Sequence, residues 1–403
     1  ISDLVFQGPD SLWLGTKMYG LHLLHVKEGR VEMVSSGYDI NGIAYYTIND
    51  LFLSKNKILW VGMNGMGLSY HHPGFNHFTI FSKKLKSKFK LDFESARSIY
   101  ADNDWIFIGG YNGINRINKQ TGSIDYFNPA SVAYSICEVA GNPDKLIIGT
   151  EGDFIYTIEK NSGKIHVPPL PENIELHAEG DYARYVFEIL HLEGTKYLLG
   201  HSNGLIVYDL EKERVLESYV HSDDPNSIVK GEIKSLVREP NGTIWVGSAT
   251  GGLAKFMPES GRFVRAIKQN GFKELPGVRI FTFGIDRKNK FWIGTDKGLC
   301  LFDSEKGLIK TFNEEDGLPD PNILTIEADN TNRLWCSCGE GVFWIDPDSG
   351  VTESFGALHG LPGKDFNMCA GYMGPDGTLY FGLTNGVVSL SSLMQTIKFP
   401  DPI

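Results

Sequence analysis

A short phrase returns nine times along the chain and largely dictates what it can fold into. It reads Leu12-Trp13-Leu14-Gly15-Thr16, then Gly20-Leu21, and comes back as Leu59-Trp60-Val61-Gly62, Ile244-Trp245-Val246-Gly247 and Phe291-Trp292-Ile293-Gly294-Thr295. Leu334-Trp335-Cys336-Ser337 and Leu379-Tyr380-Phe381-Gly382 are looser copies, and Phe107-Ile108-Gly109, Ile147-Ile148-Gly149 and Leu198-Leu199-Gly200 lack the tryptophan. The anchors at 15, 62, 109, 149, 200, 247, 294, 337 and 382 are separated by 40 to 51 residues. A period of that length in a chain without sustained helical periodicity is the mark of a β-propeller or a related array.

One repeat shows how a unit is built. Ile233 to Val237 alternates apolar and polar residues, as a half-buried strand does, and Pro240-Asn241-Gly242 is a tight turn. Thr243–Gly247, Leu253–Phe256 and Gly261–Arg265 supply three more strands, and four antiparallel strands at this spacing make a blade. The tryptophan is expected to pack between blades, and the anchor glycine to allow close approach near the crowded axis. The fold class expected is therefore all-β, a propeller of nine four-stranded units.

Composition removes some functions. There are 49 acidic against 38 basic residues, a formal charge of −11, a balance that argues against a nucleic-acid partner, because that usually requires a basic face. No apolar stretch is long enough to span a membrane. The five cysteines include no CxxC pair, and Cys336 and Cys338, two apart on a strand, read as core residues. No serine-nucleophile elbow, HExxH helix or phosphate-binding loop occurs, so the sequence points to no catalytic residue, metal or cofactor.

The repeats resemble the two-component-regulator propeller repeat, whose pattern is Asp-x-x-Gly-x-Leu-Trp-Ile-Gly-Thr followed by Gly-Gly-Leu. Gly377-Thr378-Leu379-Tyr380-Phe381-Gly382 with Asn385-Gly386-Val387 looks like the last blade of such an array. The resemblance implies the periplasmic sensor region of a Bacteroidetes hybrid two-component system, in which two seven-bladed propellers precede an immunoglobulin-like domain, a membrane helix and a kinase. Residues 1–94 would then be two blades of an upstream propeller, 95–399 a seven-bladed propeller, and 400–403 the start of a linker. A single ring of eight or nine blades is the alternative.

On this reading the partner is an oligosaccharide, membrane contact comes only through other segments, and the full receptor is a homodimer. A propeller glycosidase or lyase, or a protein-interaction scaffold, is the rival. Propeller ligands gather where loops meet at one end of the axis. The loops between second and third strands offer Tyr111, Asn112, Glu151, His201, Asn203, Asp296, Lys297, Glu340 and Asn385. The longer loop Pro171–Val186 adds Tyr182, Arg184 and Tyr185. These groups can stack on and hydrogen-bond to a sugar. A lysine-rich run, Ser82 to Lys90, is either a solvated face or an attraction for an acidic glycan.

Overall fold

The computed structural model describes residues 1–35, 47–55, 58–65, 67–71, 78–85, 87–129, 132–171, 184–277, 279–356 and 361–392. Their strands form nine antiparallel sheets, eight of them four-stranded and one three-stranded. The first sheet joins Asp3–Gly8, Ser11–Gly15, Leu21–His25 and Arg30–Ser35; the three-stranded one joins Ile48–Leu53, Leu59–Met63 and Gly67–His71.

The other seven sheets are the blades of a closed ring, numbered here 1 to 7 in chain order. Their inner strands are Ala96–Ala101, Ala133–Val139, Val186–Glu193, Ile233–Arg238, Ile280–Ile285, Thr325–Ala328 and Phe366–Met373. Each inner strand packs on the next, and the last packs on the first. The outermost strand of blade 7 is Phe78–Phe81, which lies ahead of blade 1 in the chain. It pairs antiparallel with Gly386–Leu390, Val387 opposite Phe81 and Leu390 opposite Phe78. The sequence reading left this strand with the upstream repeats, because in isolation it continues the second repeat as naturally as it completes the last. Ser82 Oγ also donates to the carbonyl of Asn385 at 2.6 Å, and Asn367 Nδ2 donates to Ala96 O at 2.6 Å.

The repeated phrase has two physical jobs. Its anchor glycine lies against the inner strand of the next blade. A Cβ on Gly294 would stand 2.6 Å from the carbonyl oxygen of Ile323, and one on Gly382 2.8 Å from that of Ala96. Ser337 replaces the glycine in blade 6 and bonds Thr325 Oγ1 at 2.8 Å. Two residues before the anchor, the large apolar side chain enters the core of the neighbouring blade. Trp245 packs with Ile280 and Phe291, Trp292 with Ile323 and Leu334, Trp335 with Phe366 and Phe381, and Tyr380 with Ala96 and Ile108. Cys336 and Cys338 are fully buried in this packing.

The buried indoles need acceptors. Trp292 Nε1 donates to Asp286 and Trp335 Nε1 to Asp329, each in the turn that precedes its own strand, at 3.2 and 2.9 Å; Trp245 uses Glu239 at 2.6 Å. In two of the blades that lack the tryptophan, blades 1 and 7, the turn carboxylate is satisfied from the next blade. Lys160 of blade 2 reaches Asp102 of blade 1 at 2.8 Å, and Lys119 of blade 1 reaches Asp376 of blade 7 at 2.8 Å. Both lysines stand directly after the third strand of their blade. Burial alone would raise the pKa of Asp102, but Lys160 and the N–H groups of Trp105 and Asp104 hold it below the usual carboxylate value.

The glycine contacts yield a paired prediction. Gly294→Ala forces a backbone oxygen aside and is expected to lower stability by about 1–3 kcal/mol. Gly62 is the anchor of the three-stranded sheet, and a Cβ there meets only its own sheet's Asp50, at 3.5 Å. Gly62→Ala is expected to stay within about 0.5 kcal/mol of the parent. Urea unfolding of the two variants checks this, and equal losses would refute the close-approach account.

Candidate functional site

Six of the seven inner strands slip in register near the anchor. In blade 1, Ala96 pairs with Gly110 and Ser98 with Gly109, so Arg97 between them is bulged out of the ladder. The same slip leaves Tyr134 unpaired in blade 2, Phe187 in blade 3, Lys234 in blade 4 and Phe281 in blade 5. Leu324 holds the corresponding place ahead of Thr325 in blade 6 and donates its N–H to Ser337 O. In blade 7 the bulge widens to residues 367–370, between Phe366 and Gly371. Bulges re-aim side chains, and here they repeat around an axis in six of the seven blades.

The bulged side chains of blades 1–4 form a continuous cluster. Tyr134 and Phe187 meet edge to face with ring centroids 5.0 Å apart, and Tyr185 lies edge-on to Phe187 at 6.3 Å. Lys234 Nζ sits 3.8 Å from the centroid of Phe187 and pairs with Glu232 at 3.0 Å. Tyr134 OH donates to Glu151 at 2.7 Å; burial and that carboxylate push the phenol's pKa up. Arg97 stacks on Tyr111 at 5.0 Å and donates to its hydroxyl at 2.7 Å. Arg97 and Tyr134 hold the same bulged position on neighbouring inner strands, and Tyr111 forms a backbone bridge with Val132, two residues before Tyr134.

Blades 4–6 are occupied differently. Cys369, in the wide bulge of blade 7 with φ 58°, reaches across the axis. Its thiol lies 2.9 Å from the carbonyl of Phe281 and 3.3 Å from that of Lys234, and its N–H donates to Leu324 O at 3.0 Å. Three consecutive bulge carbonyls thus converge on one residue. Burial pushes the Cys369 thiol up to about 12, so it is a neutral donor.

Beside this plug is a cavity of about 210 Å³ lined by all seven inner strands, among them Tyr134, Ser135, Glu188, Ser235, Glu327 and Tyr372. It is smaller than the roughly 300–1,000 Å³ of typical ligand pockets, so an oligosaccharide cannot lie within it. Burial pushes Glu188 up to about 8, against the N–H of Ile189, and Glu327 up to about 7, against that of Met373. Tyr134 belongs both to this lining and to the aromatic cluster, and so joins the two.

The structure sorts the residues named from sequence. Tyr111, Glu151 and Tyr185 join the cluster through the contacts above. Arg184, next to Tyr185, accepts from the N–H of Phe154 through its carbonyl, and Tyr182 lies outside the described residues. Asn112 is a turn residue at φ 68°, its carbonyl bonded by Tyr126 OH. His201 is 3% exposed, paired with Val186 and accepting from the Asn203 N–H; burial pushes its imidazole down to about 4. Asp296, Lys297, Glu340 and Asn385 occupy the corresponding turns of blades 5–7, with Glu340 ion-paired to Lys364 and the Lys297 N–H on Thr295. The lysine run satisfies itself locally: Lys83 bonds Asp92 O, Lys84 pairs with Glu94, and Lys90 bonds Leu85 O.

Arg97, Tyr134, Phe187 and Lys234 escaped the sequence reading. Their signal is a small or branched apolar residue, then a variable one, then Ser or Glu, at a near-constant distance before each anchor: Ala-Arg-Ser, Ala-Tyr-Ser, Val-Phe-Glu and Ile-Lys-Ser.

No protein-family model matches the sequence, and no curated protein sequence matches it. Solved structures do. The extracellular domain of the hybrid two-component system BT3049 from B. thetaiotaomicron superimposes with TM-score 0.73 at 19% identity, over 96% of this chain and 51% of its own. That of BT4673 from the same organism gives 0.65 at 15% identity, over 100% of this chain and 54% of its own. This chain thus spans about half the length of these neighbours. Virginiamycin B lyase from Staphylococcus aureus gives 0.57 at 12% identity, over 78% of this chain and 98% of the enzyme. At these identities the likeness establishes a shared propeller fold. Among the described residues no helix is long and apolar enough to cross a membrane.

The two axial carboxyls set a pH dependence. Their folded pKa values lie above the usual 4.5, so the stability they contribute is fully present below about 4.5 and lost as pH rises through about 7 and 8. The urea midpoint should fall between pH 5 and pH 8.5, and Glu188→Gln with Glu327→Gln should flatten that fall. A double variant with the parent's full slope would refute the assignment.

Proposed function

We propose that this chain is the ligand-receiving part of an extracytoplasmic sensor, and that it takes an oligosaccharide on the bulged side chains of blades 1–4. The observation that carries the reading is the Tyr134–Phe187–Tyr185 aromatic group, bordered by Arg97, Lys234, Glu151 and Glu232. A sugar ring has an apolar face for stacking and a polar rim for charged and hydroxyl groups, and this cluster presents both. The sensor half of the reading is supported by the two bacterial extracellular domains that share the fold. On it, the first two sheets are blades of a preceding propeller and the chain works in the periplasm. Membrane attachment and kinase belong to other parts of a homodimeric receptor.

A lyase is the second reading, because the likeness covers nearly all of virginiamycin B lyase. A catalytically inactive form of that enzyme is a histidine-to-alanine variant. Among the described residues no histidine lines the axial cavity.

Calorimetry with a panel of di- to hexasaccharides, with the sugar recovered afterwards, tests the proposal. A ligand should bind and come back unchanged. Tyr134→Ala and Tyr185→Ala should each weaken it by about three- to tenfold, the loss of one stacking contact of about 0.5–1.5 kcal/mol. A cleaved sugar would overturn the sensor reading in favour of the enzyme, and full affinity in both variants would overturn the site.

A further inference from the structure

Among the arginines of the ring, Arg97 is provisioned differently from buried Arg116, half-buried Arg333 and exposed Arg238. Arg116 holds Asp125 through Nε and Nη2 and the carbonyls of Lys160 and Asn161 through Nη1. Arg333 is paired with Asp329, and Arg238 caps the carbonyls of His191 and Leu192. Arg97 makes one hydrogen bond, to the neutral hydroxyl of Tyr111, and its Nε is buried with no acceptor among the described residues. A guanidinium stays charged at any working pH and offers five donors in a planar fork. Leaving that fork half-desolvated without an anion is unfavourable, and a planar or tetrahedral oxyanion is its natural complement.

The nearby carboxylates are engaged elsewhere. Glu151 accepts from Tyr134 and Glu232 is paired with Lys234. Glu232 answers Lys234, so the charge left without an ion-pair partner beside the Tyr111 ring is the Arg97 guanidinium, within a chain whose net charge is −11. In such a field a local cation selects by contact and not by long-range attraction.

We infer that the bound sugar is anionic, and that Arg97 reads its carboxylate or sulfate ester while Tyr134 stacks beneath the same ring. This rests on the oligosaccharide reading above and narrows its ligand class. The placement of Arg97 one step out of the ladder, between Ala96 and Ser98, is what lets its side chain reach the aromatic group.

The test is calorimetry with four probes: tetragalacturonate, its methyl ester, a chondroitin sulfate tetrasaccharide and neutral cellotetraose. One anionic probe should bind at least tenfold more tightly than cellotetraose, and which one separates carboxylate from sulfate. Arg97→Gln should erase that preference, and the methyl ester should mimic the variant on unaltered protein if the carboxylate is the group read. A preference that survives in Arg97→Gln, or a neutral probe bound as tightly as the anionic ones, would overturn the inference. Neutral binding that still depends on Tyr134 would overturn the inference and leave the sensor reading standing, as would silence from all four probes while another, neutral sugar of the wider panel binds.

Discussion

A missing methyl group organises this protein. At the anchor glycines of the ring the backbone of one blade comes so close to the next inner strand that a Cβ would collide, at Gly109 with Ala133, at Gly200 with the carbonyl of Ile233 and at Gly382 with that of Ala96. Close approach at the axis sets the pitch between blades, and the pitch lets the side chain two residues earlier reach its neighbour's core. Remove the clearance and Trp245 or Trp292 no longer fits between sheets. The bulges follow from the same crowding. A strand pressed against its neighbour at the anchor accommodates an extra residue there, and that residue is expelled from the ladder with its side chain free for other work.

The polar part of the fold obeys a companion rule. In five blades a turn carboxylate at the far end either receives its own tryptophan's N–H or is answered from the next blade, as Asp102 is by Lys160 and Asp376 by Lys119. Blades that have lost the tryptophan are therefore not simply weakened copies. Blades 1 and 7 exchange a bond inside a sheet for one between sheets, which moves cohesion from the blade to the ring.

Much of the architecture was legible because the repeat is local. The period, the blade at 232–266, the buried tryptophans and the turn glycines such as Gly242 all follow from residues within one unit. Closure was not legible. Nothing in Phe78-Thr-Ile-Phe81 distinguishes a strand that serves its own repeat from one that pairs with Val387 and Leu390 three hundred residues later. The site was half legible for a related reason. Turn residues such as Tyr111 announce themselves, whereas Arg97, Tyr134, Phe187 and Lys234 lie in segments that read as ordinary alternating strand. A slip of register changes which way a side chain points without changing the sequence pattern around it. The pairing of Lys160 with Asp102 likewise joins positions with no shared motif.

The borrowed strand of blade 7 also orders events in time. Residues 78–81 are synthesised before any blade of the ring exists, and their partner, Gly386–Leu390, is among the last of the described strands to appear. Until then, Phe78 and Phe81 have no sheet to cover them and the ring has no seam to close. Seven blades can stack one by one as they emerge, but the circle is completed by a single late step of very large sequence separation, the kind that folds slowly. The clasp that makes the finished ring rigid thus also leaves one apolar strand waiting for most of the chain's synthesis.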